Sequence, residues 1–99
     1  MIYLGEYKEI ENSDAFPSIK DCISDVPLKN KNQILAYLKN EKFVKGAIPS
    51  VKHDYFTKEH IGGECLYYSD GRFWWDYVAI YYFERYNMEL PQEFIKIFL

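Results

Sequence analysis

One short segment holds most of the side chains in this chain that could bind a metal ion. His53, Asp54 and His60 lie within eight residues, and two glutamates and a cysteine are close by. Histidine and carboxylate are ligands that zinc prefers, and a hydrolytic site needs about three of them with one position open. The histidines are seven residues apart and no helix would present both on one face. The pattern favours polar residues around a hairpin; a small metal-binding protein or hydrolase using these three residues is the alternative.

Other catalytic patterns are missing from the sequence. There is no Gly-x-Ser-x-Gly elbow, and Gly62-Gly63 is not followed by the Lys-Ser/Thr of a phosphate loop. Neither cysteine stands in a catalytic context, and acid pairs such as Glu59 and Glu64 arise by chance in a chain with fifteen acids. We therefore predict that the protein is not an enzyme and that it has no catalytic residue, no metal site and no cofactor.

Charge is unevenly distributed along the chain. The net charge is −3, made up of −4 in residues 1–25, +5 in residues 26–58 and −4 in residues 59–99. An acidic chain argues against nucleic acid as a partner, and the lysines between positions 29 and 45 are better explained as solvated charge around one helix end. The acidic ends either keep the protein soluble or form a face that meets a basic partner.

The sequence also bears on compartment and oligomeric state. The N-terminus lacks a basic start followed by an apolar run, and no apolar stretch is long enough to span a bilayer. Cys22 and Cys65 have no redox or metal spacing, which is typical of reduced thiols, although the sequence does not decide whether they lie close together. We expect a cytoplasmic protein without membrane contact that is a monomer or a weak dimer.

Periodicity predicts a single α+β domain over residues 1–99, mostly helical, with a few short strands around residues 43–74. Helices are expected over 18–26, 31–40 and 75–87 and again after Pro91, from their caps and apolar spacing. Strands are expected within 43–48, at 55–56 and over 65–68, with a tight turn at 69–72. The 75–87 helix is apolar almost all round, so it should be central to the fold.

Aromatic residues are concentrated in the last third of the chain. Residues 67–86 hold ten of the nineteen aromatics. Most must be core, but adjacent aromatics point in different directions, so some of Trp74/Trp75 and Tyr81/Tyr82 should face away from it. Exposed tryptophan and tyrosine beside acids are typical of protein-binding hot spots.

Four segments resemble the motifs of one protein family. Residues 69–75 resemble a Ser/Thr-Asp-Gly-x-aromatic-x-Trp element, residues 81–87 a Tyr-Tyr-Val-Glu-Lys-Tyr-Asn element and residues 90–94 a Leu-Pro-x-Glu-Phe ending, while residues 34–39 resemble a helix that precedes a short basic stretch. The family that these segments resemble is one of small bacterial immunity proteins found beside polymorphic toxins, including contact-dependent growth inhibition systems. The similarity covers most of residues 18–98, and the chain departs from it at Asp76, where the family often has proline. The resemblance implies a protein that neutralises a cognate toxin, commonly a nuclease, by direct binding. It transfers no catalytic residue.

Charge and aromatic content together suggest where such a partner would bind. The candidates lie in the acidic C-terminal portion: Asp70, Trp74, Asp76, Glu84 and Glu89. The N-terminal segment is an equally charged competitor, with acids at Glu6, Glu9, Glu11 and Asp14. Steering by such acids would speed association with a basic partner and make it sensitive to salt.

Overall fold

The strands of this protein form one mixed sheet. The computed structural model describes residues 2–49 and 51–99, and within them the strands are β1 (Ile2–Tyr3), β2 (Val44–Ala47), β3 (Leu66–Ser69) and β4 (Phe73–Asp76). Their order is β1-β4-β3-β2, with β1 parallel to β4 and the other pairs antiparallel. The helices are α1 (Lys8–Glu11), α2 (Lys31–Leu38), α3 (Tyr77–Tyr86) and α4 (Gln92–Ile95), with 3-10 turns at Ile19–Asp21, Glu41–Phe43 and Lys96–Phe98. The predicted α+β class is confirmed.

The inner face of the sheet is set by strand β4. Phe73 and Trp75 point to this face and are fully buried. The Trp75 ring stacks on Tyr68 of β3 at 5.9 Å, and its indole Nε1–H donates to the carbonyl of Leu38 at 3.0 Å. Phe94 of α4 lies 5.2 Å from Phe73, measured between ring centroids. Through these contacts Trp75 packs α2 against the sheet, and Phe73 packs α4 against it.

Helix α3 is the core helix that the sequence predicted, but it begins later. Six of its ten residues are buried, as expected for a segment apolar almost all round. It begins at Tyr77 instead of position 75 because the Asp76 carboxylate accepts the N–H groups of Val78 and Ala79 as an N-cap. Trp75 belongs to β4. The predicted stop at Asn87 is confirmed, where the backbone turns left-handed with φ of 53°.

Two local predictions were wrong because the backbone makes other hydrogen bonds than the ones expected. The helix expected after Ser18 is one 3-10 turn, since the chain leaves it to bond Ser24 N–H to the carbonyl of Tyr86 at 3.0 Å. The strand expected at Tyr55-Phe56 is a turn, since the Asp54 carboxylate accepts the backbone N–H of Phe56 at 2.7 Å.

Strand β1 lies outside the segment in which the sequence predicted strands. Its two residues pair with Phe73 and Trp74, and Leu4 N–H continues the ladder to the carbonyl of Trp74 at 2.8 Å. A two-residue strand has no alternation to detect, so only its distant partner reveals it. The strand region also extends two residues past position 74, to Asp76.

Two further sequence expectations concern the thiols and the membrane. Cys22 and Cys65 are both free and half-buried. Across the described ranges, no helix has the length and apolar character to cross a membrane.

The central position of α3 makes a direct prediction. Phe83 is 1% exposed, so Phe83→Ala should lower the free energy of unfolding by about 3–5 kcal/mol through lost burial and a cavity. Urea denaturation measures this. Ile97→Ala, at a side chain 45% exposed, is the matched control and should change stability much less. An unchanged urea midpoint for Phe83→Ala would show that α3 is not central.

Candidate partner-binding surface

The sheet has a second face, opposite to Trp75, which we call the outer face. It is defined by neighbours in register, because residues paired across strands share a face: Tyr3, Gly46, Tyr67, Ser69, Trp74 and Asp76. The Tyr67 ring lies directly over Gly46, since a Cβ at this position would lie 2.8 Å from a carbon of that ring. The outer face therefore has an aromatic surface that extends onto β2.

Trp74 is the exposed aromatic of this face. Its side chain is 39% exposed, whereas Trp75 beside it is fully buried. The Tyr3 ring packs against the indole edge to face at 4.3 Å, and the Tyr3 hydroxyl donates to Asp76 Oδ2 at 2.6 Å. Burial and the Asp76 charge raise the pKa of Tyr3, so its hydroxyl stays a donor. Trp74 is therefore supported on one side and open on the other.

A broad groove adjoins Trp74 on the β2 side, and we call it the basic concavity. It has a volume of about 690 Å³, and its cationic side chains are Lys42 and Lys45. Phe43 and Tyr67 supply apolar wall beside Trp74. The Lys42 ammonium lies 5.1 Å from the Phe43 ring centroid, a distance at which cation and ring attract.

A smaller hollow adjoins Trp74 on the β1 side, and we call it the acidic concavity. It is lined by Tyr3, Glu6, Glu11 and Trp74 and has a volume of about 250 Å³. In the described part of the chain, neither glutamate carboxylate has a hydrogen bond or ion pair. Burial and the charge of Glu11 raise the pKa of Glu6. Two neighbouring carboxylates thus lie beside an exposed indole without a cation.

Asp70, predicted as a binding residue, is held by the fold. Its Oδ1 accepts the N–H groups of Arg72 and Phe73 at 2.9 and 2.8 Å, and its Oδ2 accepts the Tyr37 hydroxyl at 2.6 Å. Burial opposes its ionisation, but these bonds outweigh burial and lower its pKa. Asp70 lies at the end of the basic concavity, where its charge is already engaged.

The other predicted acids do not form one surface with Trp74. Asp76 lies on the outer face, but its carboxylate is shared between the α3 N-cap and Tyr3. Glu84 is paired with Lys39 at 2.8 Å, and both side chains are about half exposed. Glu89 is exposed and lines hollows with Leu90 instead. The five candidates are therefore divided among separate parts of the surface.

The competing N-terminal acids divide into two kinds. Glu9 accepts the backbone N–H of Ile19 and the hydroxyl of Ser18, both at 2.7 Å, and these bonds lower its pKa. Asp14 forms an exposed ion pair with Lys8 at 3.3 Å. Glu6 and Glu11 remain as the acids that face Trp74.

Asp54 is the centre of a buried cluster of hydrogen bonds, which we call the Asp54 clasp. Its side chain is fully buried. Oδ2 accepts the hydroxyls of Tyr81 and Tyr86 at 2.7 and 2.6 Å, and Oδ1 accepts the N–H groups of Phe56 and Thr57 at 2.7 and 3.1 Å. Burial opposes ionisation, but the four hydrogen bonds outweigh it and lower the pKa of Asp54 to about 2. The clasp fixes the 52–61 loop to α3.

The two histidines lie near the two ends of the 52–61 loop. His53 and His60 form an isolated antiparallel bridge, and their exposed rings are 5.7 Å apart between centroids. Within residues 2–49 and 51–99, no three histidine, cysteine or acidic side chains are grouped so that they could hold a metal ion. The donor set of the hydrolase alternative lacks Asp54, whose oxygens are both engaged.

The sequence pointed to Trp74, and it pointed to Glu6 and Glu11 only as members of the competing acidic N-terminal segment. Tyr3 lies outside every segment for which a helix or strand was predicted, and the lysines at 42 and 45 were interpreted as solvated charge. The feature that could have marked Lys45 as part of this surface is its position next to Gly46 in β2, which is an edge strand. Nothing local in the sequence pointed to the approach of Glu6 and Glu11 to Trp74.

Comparison with known proteins does not identify the family. No protein-family model matches the chain, and no curated protein or solved structure is significantly similar to it.

The Asp54 clasp predicts a pH-dependent contribution to stability. A pKa of about 2 in place of 3.8 corresponds to about 2.5 kcal/mol that is fully present above pH 3.8 and is lost as the pH falls through 2. Asp54→Asn should therefore cost about 2.5 kcal/mol or more at pH 7, measured by urea denaturation. The difference from wild type should shrink below about pH 4. The exposed Asp14→Asn is the control. Equal stability of Asp54→Asn and wild type at pH 7 would contradict the clasp.

The engagement of Asp54 also predicts that folding needs no metal. Elemental analysis of untagged protein should find far less than one equivalent of zinc per chain. A chelator should leave the thermal unfolding curve unchanged. One tightly held zinc per chain would overturn this prediction and restore the hydrolase alternative.

Proposed function

We propose that this protein is an immunity protein, which binds a cognate toxin domain in the cytoplasm and neutralises it by direct contact without catalysis. The resemblance of residues 69–75, 81–87 and 90–94 to such proteins supports the proposal. The observation that carries it is the exposed Trp74 on the outer face. We expect the toxin to be a nuclease, whose substrate-binding cleft would be basic.

Trp74 has the physical features of an interface anchor. Tryptophan dominates binding hot spots because it removes a large apolar area from water while ordering few torsions. Tyr3 packs against one edge of the ring, so little freedom remains to be lost on binding. The basic and acidic concavities on its two sides provide the polar rim that surrounds such anchors.

The described contacts favour the N-terminal acids over the C-terminal ones as the charges that meet a basic toxin. Asp70 and Asp76 stabilise a turn and a helix start, so replacing them would perturb the fold. Glu6 and Glu11 share a hollow with Trp74. A charge without an internal partner can pair across an interface without breaking an existing bond.

Truncation of the anchor tests this proposal. Trp74→Ala should weaken binding to the cognate toxin domain by about 30-fold or more, as loss of a hot spot does. Titration calorimetry on the purified pair measures the binding. Cells co-expressing the toxin should lose protection with Trp74→Ala.

Matched variants separate binding from folding. Leu28→Ala removes a side chain 45% exposed that lies away from both concavities beside Trp74, and it should bind and protect like wild type. Thermal unfolding should show that Trp74→Ala is folded. A folded Trp74→Ala protein that still protects would refute the outer face as the toxin-binding surface.

A further inference from the structure

The outer face presents opposite charges on the two sides of one aromatic anchor. We propose that it docks a partner segment that places an arginine beside Glu6 and Glu11 and an acidic side chain beside Lys42 and Lys45, with Trp74 between them. This deepens the proposed function and rests on it only for the identity of the partner.

The acidic concavity fits a guanidinium group. Glu6 and Glu11 face the same hollow as Trp74 and Tyr3, so one cation can lie against an indole and near two carboxylates. A guanidinium is planar, stacks on an aromatic face and carries donors for several oxygens, whereas an ammonium is compact and more strongly hydrated. Its arrival would also relieve the repulsion between the carboxylates, the same repulsion that contributes to the raised pKa of Glu6.

The basic concavity fits a carboxylate. Lys42 and Lys45 lie on its wall with Trp74, and the described structure gives neither ammonium an ion-pair partner. Asp70 is the acid in this wall, and its oxygens already accept three hydrogen bonds. Asp70 therefore competes only weakly for the two lysine ammonium groups, and both are available to a carboxylate from the partner.

The two sites belong to one surface because Trp74 lines both hollows. A partner side chain that lies over the indole has the acidic concavity on one side and the basic concavity on the other. A segment carrying only basic residues would meet the lysines and be repelled, so the arrangement selects both the sequence and the direction of the bound segment. A phosphate-like acidic surface would instead carry one sign throughout.

Short peptides can test this chemistry without the toxin. We would titrate isotopically labelled protein with acetyl-Gly-Arg-Gly-amide and with acetyl-Gly-Glu-Gly-amide and follow the Trp74 indole N–H and the backbone amides by NMR. The arginine peptide should shift Trp74, Glu6 and Glu11 with saturation in the millimolar range. The glutamate peptide should shift Trp74, Lys42 and Lys45.

Variants and isosteres assign the two sites. The double variant Glu6→Gln with Glu11→Gln should lower the affinity for the arginine peptide at least fivefold. Its affinity for the glutamate peptide should be unchanged. Asp25→Asn with Glu93→Gln makes the same change in net charge outside both concavities, and it should leave both peptides unchanged. The citrulline peptide, which is neutral, and the lysine peptide should both bind more weakly than the arginine peptide.

Several outcomes would overturn the inference. These are equal shifts with citrulline, equal affinity for the lysine peptide, shifts from both peptides at the same charged residues, or no saturable shift at all. None of these results depends on a toxin. The loss of the peptide sites would therefore leave the immunity function to be judged by the Trp74→Ala binding and protection experiment alone.

Discussion

The carboxylate of Asp76 holds together the junction on which the rest of this structure depends. It accepts the N–H groups of Val78 and Ala79 and so starts α3 directly after β4. It also accepts the hydroxyl of Tyr3, seventy-three residues away in sequence. One side chain thus ends the strand, begins the core helix and fixes the aromatic ring beside Trp74. Any partner bound at Trp74 depends on that junction.

The junction also explains how one aromatic run serves two purposes. Because β4 stays extended through Trp75, its side chains alternate between the faces of the sheet. Trp75 is buried against α2, where its indole N–H donates a hydrogen bond to the carbonyl of Leu38. Trp74 points outward, and the Tyr3 ring packs against one side of its indole. Had the helix begun at position 75, as periodicity predicted, this alternation would end two residues earlier, at Trp74. Trp75 would then leave the strand, whose alternation places it in the core.

How much could be predicted from the sequence depended on how local each interaction is. The core character of α3 and its stop at Asn87 follow from neighbouring residues and were predicted. The 52–61 loop was not, because Asp54 is bonded to tyrosines 27 and 32 positions away. The site shows the same division. Some of the paired aromatics at 74–75 and 81–82 were predicted to face away from the core, and Trp74 does, whereas composition could not distinguish Asp70 from Glu6.

Asp70 and Glu6 differ because the fold already uses the charge of Asp70, whereas the charge of Glu6 is available to a partner. Asp54 and Asp70 look like surface acids in sequence, yet each accepts three or four hydrogen bonds from its own chain. Removing such a group leaves its donors unpaired, so mutation reports on stability. Glu6 and Glu11 have no such donors in the described structure, and their mutual repulsion is a cost in the free protein. A cation supplied by a partner removes that cost, so the same two residues that slightly destabilise the fold can favour the complex.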